Sequence, residues 1–238
     1  MPRRFYVPQP LAVPELRLTG SEAHHLANVL RMEAGETAWV FDGQGHEACV
    51  QIVSVSSEGA TLRVLESRPA QTETKFPLIL GTAVPKGERF RWLVEKATEI
   101  GVARFVPLNT RRSIVDPGAG KLSKVQQTIV EASKQCGRSR LMELGDTADW
   151  KSFVATEFTG RTAYIAHPSG DIFDFSSCAP NGPVVLAIGP EGGFTDEEVA
   201  IGCAAGAKLL SLGPRILRIE TAAVAITTLF AIGCGSAD

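Results

Sequence analysis

The chain has 238 residues, 44% hydrophobic and 21% charged, which is globular composition, enough for one large domain or a small one plus a medium one. MPRRFYVPQP lacks an apolar signal core and no apolar run approaches the roughly 20 residues of a membrane helix, so neither export nor membrane insertion is expected. Cys49, Cys136, Cys178, Cys203 and Cys234 are scattered, odd in number and without C-x-x-C, which predicts free thiols in a reducing cytoplasm and no metal. The net charge of −2 hides an uneven distribution: residues 1–70 hold 6 Lys/Arg and 8 Asp/Glu, residues 71–140 hold 13 and 6, and residues 141–238 hold 5 and 12. The basic middle third suggests a local anionic partner, against the simpler reading of a solvated helix face balanced by acids elsewhere.

In chain order, SEAHHLANVL (21–30) reads as a short helix with Ser21 as N-cap and Leu26, Val29 and Leu30 as its apolar stripe. ETAWVF, EACVQIVSV and ATLRVLES follow as three strands separated by the turns DGQG and SSEG, and a small β-barrel over residues 1–70 fits best. RPAQTETKFP (68–77) is a polar, proline-bounded boundary to a second domain, 71–238. There strands and helices alternate: LILGTAV, the helix KGERFRWLVEKATEIG closing at Gly101, ARFVPL, the helix SKVQQTIVEASKQCG, TAYIAH, VVLAIG, a helix 196–205 opened by a Thr195/Glu198 capping box, KLLSL, and a final apolar helix. That alternation predicts a largely parallel sheet with helices on both faces.

Three motif-like stretches fail on physical grounds. GQGHEA (43–48) matches a dinucleotide-binding pattern but leads into a strand, so it has no helix N-terminus to offer a pyrophosphate. GAGKLS (118–123) has Leu122 where a phosphate-binding loop needs Ser or Thr after its lysine. His24 and His25 are helix neighbours about 100° apart and do not easily share a site; one of them is expected to pack against the barrel.

Two stretches hold. AIGPEGGFTDEE (187–198) leaves a buried strand, turns through three glycines and a proline, and enters a capped helix. Glycines at the carboxyl end of a parallel strand permit close backbone approach to a ligand. Glu191 and the acids at 196–198 disfavour phosphate, so a neutral or cationic group suits the turn better. LGPRILRIETAAVAI (212–226) repeats the layout, with Arg215, Arg218 and Glu220 crowded at a helix entrance. Together the two turns offer backbone-rich walls suited to an adenine.

This pair, GPEGGFTDEE followed by LGPRILRIETA, resembles the signature of the SPOUT, or trefoil-knotted, S-adenosylmethionine-dependent methyltransferases. With HHLANVLRMEAGE (24–36), KGERFRWLVEKATEIGV (86–102), RRSIV (111–115) and EASKQCGRSR (131–140), it is similar more narrowly to the small-subunit ribosomal RNA uridine N3-methyltransferases. The resemblance implies an α/β fold in two parts: a small N-terminal PUA-like β-barrel for RNA, and a C-terminal knotted domain that dimerises. It implies S-adenosylmethionine lined by Gly189, Glu191, Gly192, Gly193, Leu212, Gly213, Ile216, Leu217, Thr221 and Ala222. The implied substrate is one uridine of 16S ribosomal RNA in the small subunit. Two departures stand out: Ile219 where the family commonly has Thr, and LSKV in place of an arginine–aromatic pair at the start of the second helix.

Uracil N3 is a poor nucleophile until its proton leaves and charge spreads onto the flanking carbonyls, where an arginine fork stabilises it. Arg218 or Arg138 fits that role, and Glu220 fits either orientation of an arginine or proton removal. A structural Arg218–Glu220 ion pair at the helix start accounts for the same residues. For RNA phosphates the candidates are Arg111, Arg112, Lys134, Arg138 and Arg140, with Arg3, Arg4 and Arg31 from the first domain.

Overall fold

Apolar residues alternating with polar ones build the first sheet. In the computed structural model, which describes residues 3–116, 118–172, 180 and 182–233, its strands are β1 (Arg4–Tyr6), β2 (Glu15–Leu18), β3 (Thr37–Phe41), β4 (His46–Ser56) and β5 (Gly59–Pro69). They lie in the order β1-β3-β4-β5-β2, antiparallel except for β1 on β3. The inward positions, among them Phe5, Leu16, Leu18, Val40, Val50, Ile52 and Leu62, form one core. The DGQG turn is closed by Asp42, whose carboxylate accepts the backbone N–H groups of Gln44 and His46.

The helix between β2 and β3 differs from its sequence pattern. Helix α1 (Gly20–His24) has Thr19, not Ser21, at its cap, and continues into a π turn over His25–Val29. The wider π turn rotates later residues off the α period, so Leu26 is buried while Val29 is 59% exposed. His25 packs edge-on against the Phe5 ring, and His24 faces solvent. Arg31, just beyond, holds φ of 51°, the single non-glycine residue with positive φ among those described.

The chain forms two compact units, Met1–Glu73 with Val130–Leu141, and Thr74–Ile129 with Met142–Asp238. In the second, β6 (Leu78–Ala83) is buried along its whole length. Helix α2 (Arg89–Ile100) buries Phe90, Leu93, Val94 and Ala97 and stops at Gly101, whose φ of 99° suits glycine. Then come β7 (Val102–Asn109), α3 (Ala119–Cys136), within which the division of units falls, the short β8 (Glu143–Leu144) and β9 (Ala148–Asp149), and α4 (Trp150–Phe153) running into a π turn to Phe158. The unit ends with β10 (Thr162–Ile172), β11 (Val184–Ile188), α5 (Asp196–Ala204), β12 (Lys208–Ser211) and α6 (Ile219–Gly233). Helix α5 opens with the full reciprocal capping box, Thr195 and Glu198 each bonding the other's backbone N–H.

The strands run β12-β10-β11-β6-β7-β8, with β9 also on β7, and every pairing is parallel. Close packing on the sheet demands glycine at one position: a Cβ on Gly81 would collide with the Phe153 ring. The chain leaves β6 towards β7 but leaves β11 towards β12, on the other side. Between β6 and β11 the order therefore reverses, and in open α/β sheets such a reversal opens a crevice at the carboxyl ends.

Candidate active site at the carboxyl edge of the parallel sheet

All strands of this sheet being parallel, the connections after β6, β7, β11 and β12 leave from one edge. The turns after β11 and β12 flank β10 and are separated by two strand spacings, about 10 Å. This brings both sequence-predicted glycine turns to one side of the sheet.

The first turn is tightly built. The Gly193 N–H donates to Pro190 O at 2.8 Å, with Gly193 at φ of 68°. Phe194 is buried against Trp150, their ring centroids 4.4 Å apart. The Glu198 carboxylate is buried and fully used: one oxygen accepts the Thr195 N–H at 2.8 Å, and the other accepts the Arg111 N–H, also at 2.8 Å. The turn Thr110–Ser113 after β7 is thereby pinned to the start of α5. It is braced internally by Thr110 N–H donating to Ser113 Oγ and Ser113 N–H donating to Thr110 O. Arg112 Nη1 donates to Gly192 O at 2.7 Å. Sequence placed Arg111 and Arg112 among RNA contacts; the Arg112 side chain is tied to the glycine turn, whereas Arg111 is held to α5 by its backbone alone and its side chain is exposed.

In the second turn, Gly213 takes φ of 98° and its N–H donates to Ser211 Oγ. Leu212 and Leu217 are half-buried, whereas Ile216 is 96% exposed. Arg215, Arg218 and Thr221 face solvent, and Ile219 and Ala222 are buried. Cβ atoms built on Gly193 or Gly213 would meet no atom within 4 Å, so both backbones are open to close approach.

Glu220 is the most informative side chain here. It is 7% exposed, and its partner is Arg89 at the start of α2, whose Nη1 donates to Oε1 at 3.3 Å. The alternative of an Arg218–Glu220 ion pair gives way to Arg89–Glu220, which leaves Arg218 exposed to solvent. Glu220 Oε2 is buried and has no hydrogen-bond donor among the described residues. Arg89 was not foreseen as a site residue: it lies 131 positions from its partner, and no local pattern signals the pairing.

The first unit sorts its arginines sharply. Arg138 is 3% exposed and grips Glu73 with two bonds, Nε to Oε1 at 2.9 Å and Nη2 to Oε2 at 2.7 Å. Arg4 bonds Glu47 and Ser139, and Lys134 bonds Glu22. These three are turned inward, because their charges have buried or half-buried acidic partners. Arg31 and Arg140 are exposed, as is Arg3, which bonds Glu36. Among the described residues no cluster of three or more His, Cys, Asp or Glu side chains could hold a metal. No described helix is long and apolar enough to cross a membrane. Cys49 and Cys203 are free thiols, the Cys136 thiol donates to Ser133 O, and Cys178 and Cys234 lie outside the described residues.

An RNA methyltransferase domain model matches residues 72–231, and an RNA methyltransferase PUA domain model matches residues 18–65. The chain is 32% identical to the ribosomal RNA small subunit methyltransferase E of Synechocystis sp., over 92% of this chain and 74% of that one. It is 31% identical to the enzyme of the same name from Bacillus subtilis, over 88% and 86%. The chain belongs to the ribosomal RNA small subunit methyltransferase E family. Among solved structures, a Legionella pneumophila methyltransferase in complex with bound SAM aligns with a TM-score of 0.86 and 31% identity, covering 97% of both chains. The family's enzyme from Neisseria gonorrhoeae, bound to S-adenosyl methionine, aligns at 0.84 with 27% identity and 96% coverage of both. The two-part α/β architecture, with a PUA-like first domain and a parallel-sheet methyltransferase domain, is thus shared with these proteins along nearly the whole chain.

Proposed function

We propose that this protein transfers a methyl group from S-adenosylmethionine to N3 of a uridine in 16S ribosomal RNA of the small subunit. Family membership supports the reaction class. The observation that carries it to this site is the convergence, on one edge of a parallel sheet, of two open glycine turns and a buried carboxylate with one oxygen unsatisfied.

The residues fit the cofactor. Gly193 on one side and Gly213 on the other offer bare backbone, and half-buried Leu212 and Leu217 offer apolar surface, for an adenine and its ribose; Gly189 and Gly192 shape the first turn from beneath, packed on Phe194 and Arg112, and buried Ala222 backs the second. When bound, S-adenosylmethionine supplies an electrophilic methyl group, so no metal is needed. Glu220 Oε2 accepts the N3 proton of the uracil, while Arg89 holds Oε1 and fixes the plane of the carboxylate. Arg218, two residues earlier and free of Glu220, points its fork at the carbonyl oxygens on which charge develops. Arg138, buried and bidentate on Glu73, is left out of this clamp.

The same reading assigns RNA phosphates to Arg3, Arg31, Arg140 and Arg111, the flipped base to the sheet edge, and the trefoil knot to the segment that ends in α6. A cytoplasmic homodimer belongs to it as well: exposed Trp92 on α2 and Ile232 on α6 are apolar surface on helices that pack together, available to a second copy.

Calorimetry with S-adenosylmethionine and single-turnover methyl transfer to small subunits test the assignment together. Arg218→Ala retains cofactor affinity within about threefold and loses about a hundredfold or more in transfer. Gly192→Val abolishes cofactor binding. Full turnover by Arg218→Ala overturns the clamp.

A further inference from the structure

Arg112 invites reading as a phosphate contact, being an exposed arginine in a basic segment. Its bonds say otherwise. Nη1 donates to Gly192 O at 2.7 Å and reaches Phe194 O at 3.5 Å, so one guanidinium spans two carbonyls of the glycine turn. Its aliphatic stem covers the same spot: a Cβ built on Gly192 would stand 3.3 Å from Arg112 Cδ. The peptide joining Gly192 to Gly193 is therefore held at both ends, its N–H by Pro190 O and its C=O by Arg112. One residue earlier, the Arg111 N–H is fastened to the buried Glu198 carboxylate, and Thr110 and Ser113 lock the turn that presents both arginines.

The geometry points to Arg112 as a positioning residue: from the turn after β7 it clasps the Gly189–Phe194 turn and fixes the backbone surface offered to the cofactor. This rests on the methyltransferase reading for the identity of the ligand, but not for the clasp itself. The guanidinium acts through the loop and touches no reacting atom. Both bonds leave from one nitrogen, Nη1, so a lysine ammonium, with its three N–H donors, replaces them in part, whereas alanine removes them. Conversely, an arginine so engaged contributes little to counterion release from RNA, which requires direct neutralisation of phosphate.

The test compares wild type, Arg112→Lys and Arg112→Ala. Because Arg112 is exposed, the variants fold, and a thermal unfolding scan checks this. In the protein without ligand, amide hydrogen exchange at Gly192, Gly193 and Phe194 speeds up in Arg112→Ala. S-adenosylmethionine affinity drops about tenfold to a hundredfold, the worth of one charge-assisted hydrogen bond, and Arg112→Lys recovers part of it. In kinetics the loss falls on KM for the cofactor far more than on kcat. RNA affinity and its salt slope stay as in wild type. Unchanged loop exchange and cofactor affinity, with a salt slope reduced by about one, overturns the clasp and makes Arg112 a phosphate contact. If wild type itself binds no S-adenosylmethionine, the methyltransferase reading fails, while the exchange experiment still decides whether the clasp exists.

Discussion

Glu220 carries one bond from Arg89 and leaves a second oxygen buried without a donor. A buried acceptor left unmade costs about 1–3 kcal/mol, a cost tolerated where the group serves a substrate. Glu220→Gln keeps the shape and an oxygen for Arg89 but removes the proton acceptor. Expected is a loss of about a hundredfold or more in single-turnover methyl transfer, with cofactor affinity within a few-fold of wild type. Equal turnover in the glutamine variant rules out proton removal at this position and leaves Glu220 as a structural partner of Arg89. Arg31 supplies a second residue-scale test. Its φ of 51° costs a non-glycine residue about 1–2 kcal/mol. Arg31→Gly therefore raises stability by up to about 1 kcal/mol in urea titration while weakening RNA binding, and a loss of both contradicts a functional reason for the strain.

Among elements, strand β4 carries at its second position Glu47, where Arg4, Arg68 and Ser139 converge. Burial pushes this carboxyl up, but the hydrogen bonds from Arg4, Arg68 and Ser139 outweigh it and hold the pKa below the ordinary 4.5. A carboxyl depressed on folding contributes stability that is fully present above about pH 4.5 and fades as the pH falls through the lower folded value. Melting temperature measured from pH 7 down to pH 3 should fall more steeply in wild type than in Glu47→Gln, which starts lower; parallel curves contradict the assignment. Strands β3–β7 and β10–β12, α2 and the capping box of α5 were legible because each is a local pattern: period two or an apolar run, period 3.6, or a Thr and Glu three apart; β1, β2, β8 and β9, two to four residues long, are too short to show a period. The π turn after α1 was not, since Val29 belongs to an α-helical stripe until one wider turn moves it into solvent. The glycine turns were legible as chemistry. Arg89 on Glu220, Arg112 on Gly192 and Arg138 on Glu73 were not, because each joins residues 65 or more positions apart and charge alone does not say which partner wins.

For the whole molecule, the basic middle third offers fewer cations to an anionic partner than its sequence count suggests. Arg89, Arg112, Lys134 and Arg138 spend their charge on carboxylates or carbonyls within the fold. Of the candidate phosphate contacts, Arg111 and Arg140 in this third and Arg3 and Arg31 in the first domain stay exposed. Replacing any one of these four by alanine should lower the slope of log affinity against log salt by about 0.7–1, whereas Lys134→Ala should leave it unchanged and lower stability instead. Equal slopes for all five variants contradict this division.

In the proposed reaction the carboxyl edge of the parallel sheet delivers a methyl group to uracil N3. Its most direct test is tritium transfer from labelled S-adenosylmethionine to small ribosomal subunits taken from cells lacking the protein, followed by identification of the labelled nucleoside. The expected product is 3-methyluridine, formed by wild type and sharply reduced in Glu220→Gln; label on any other nucleoside, or no transfer at all, contradicts the proposed reaction.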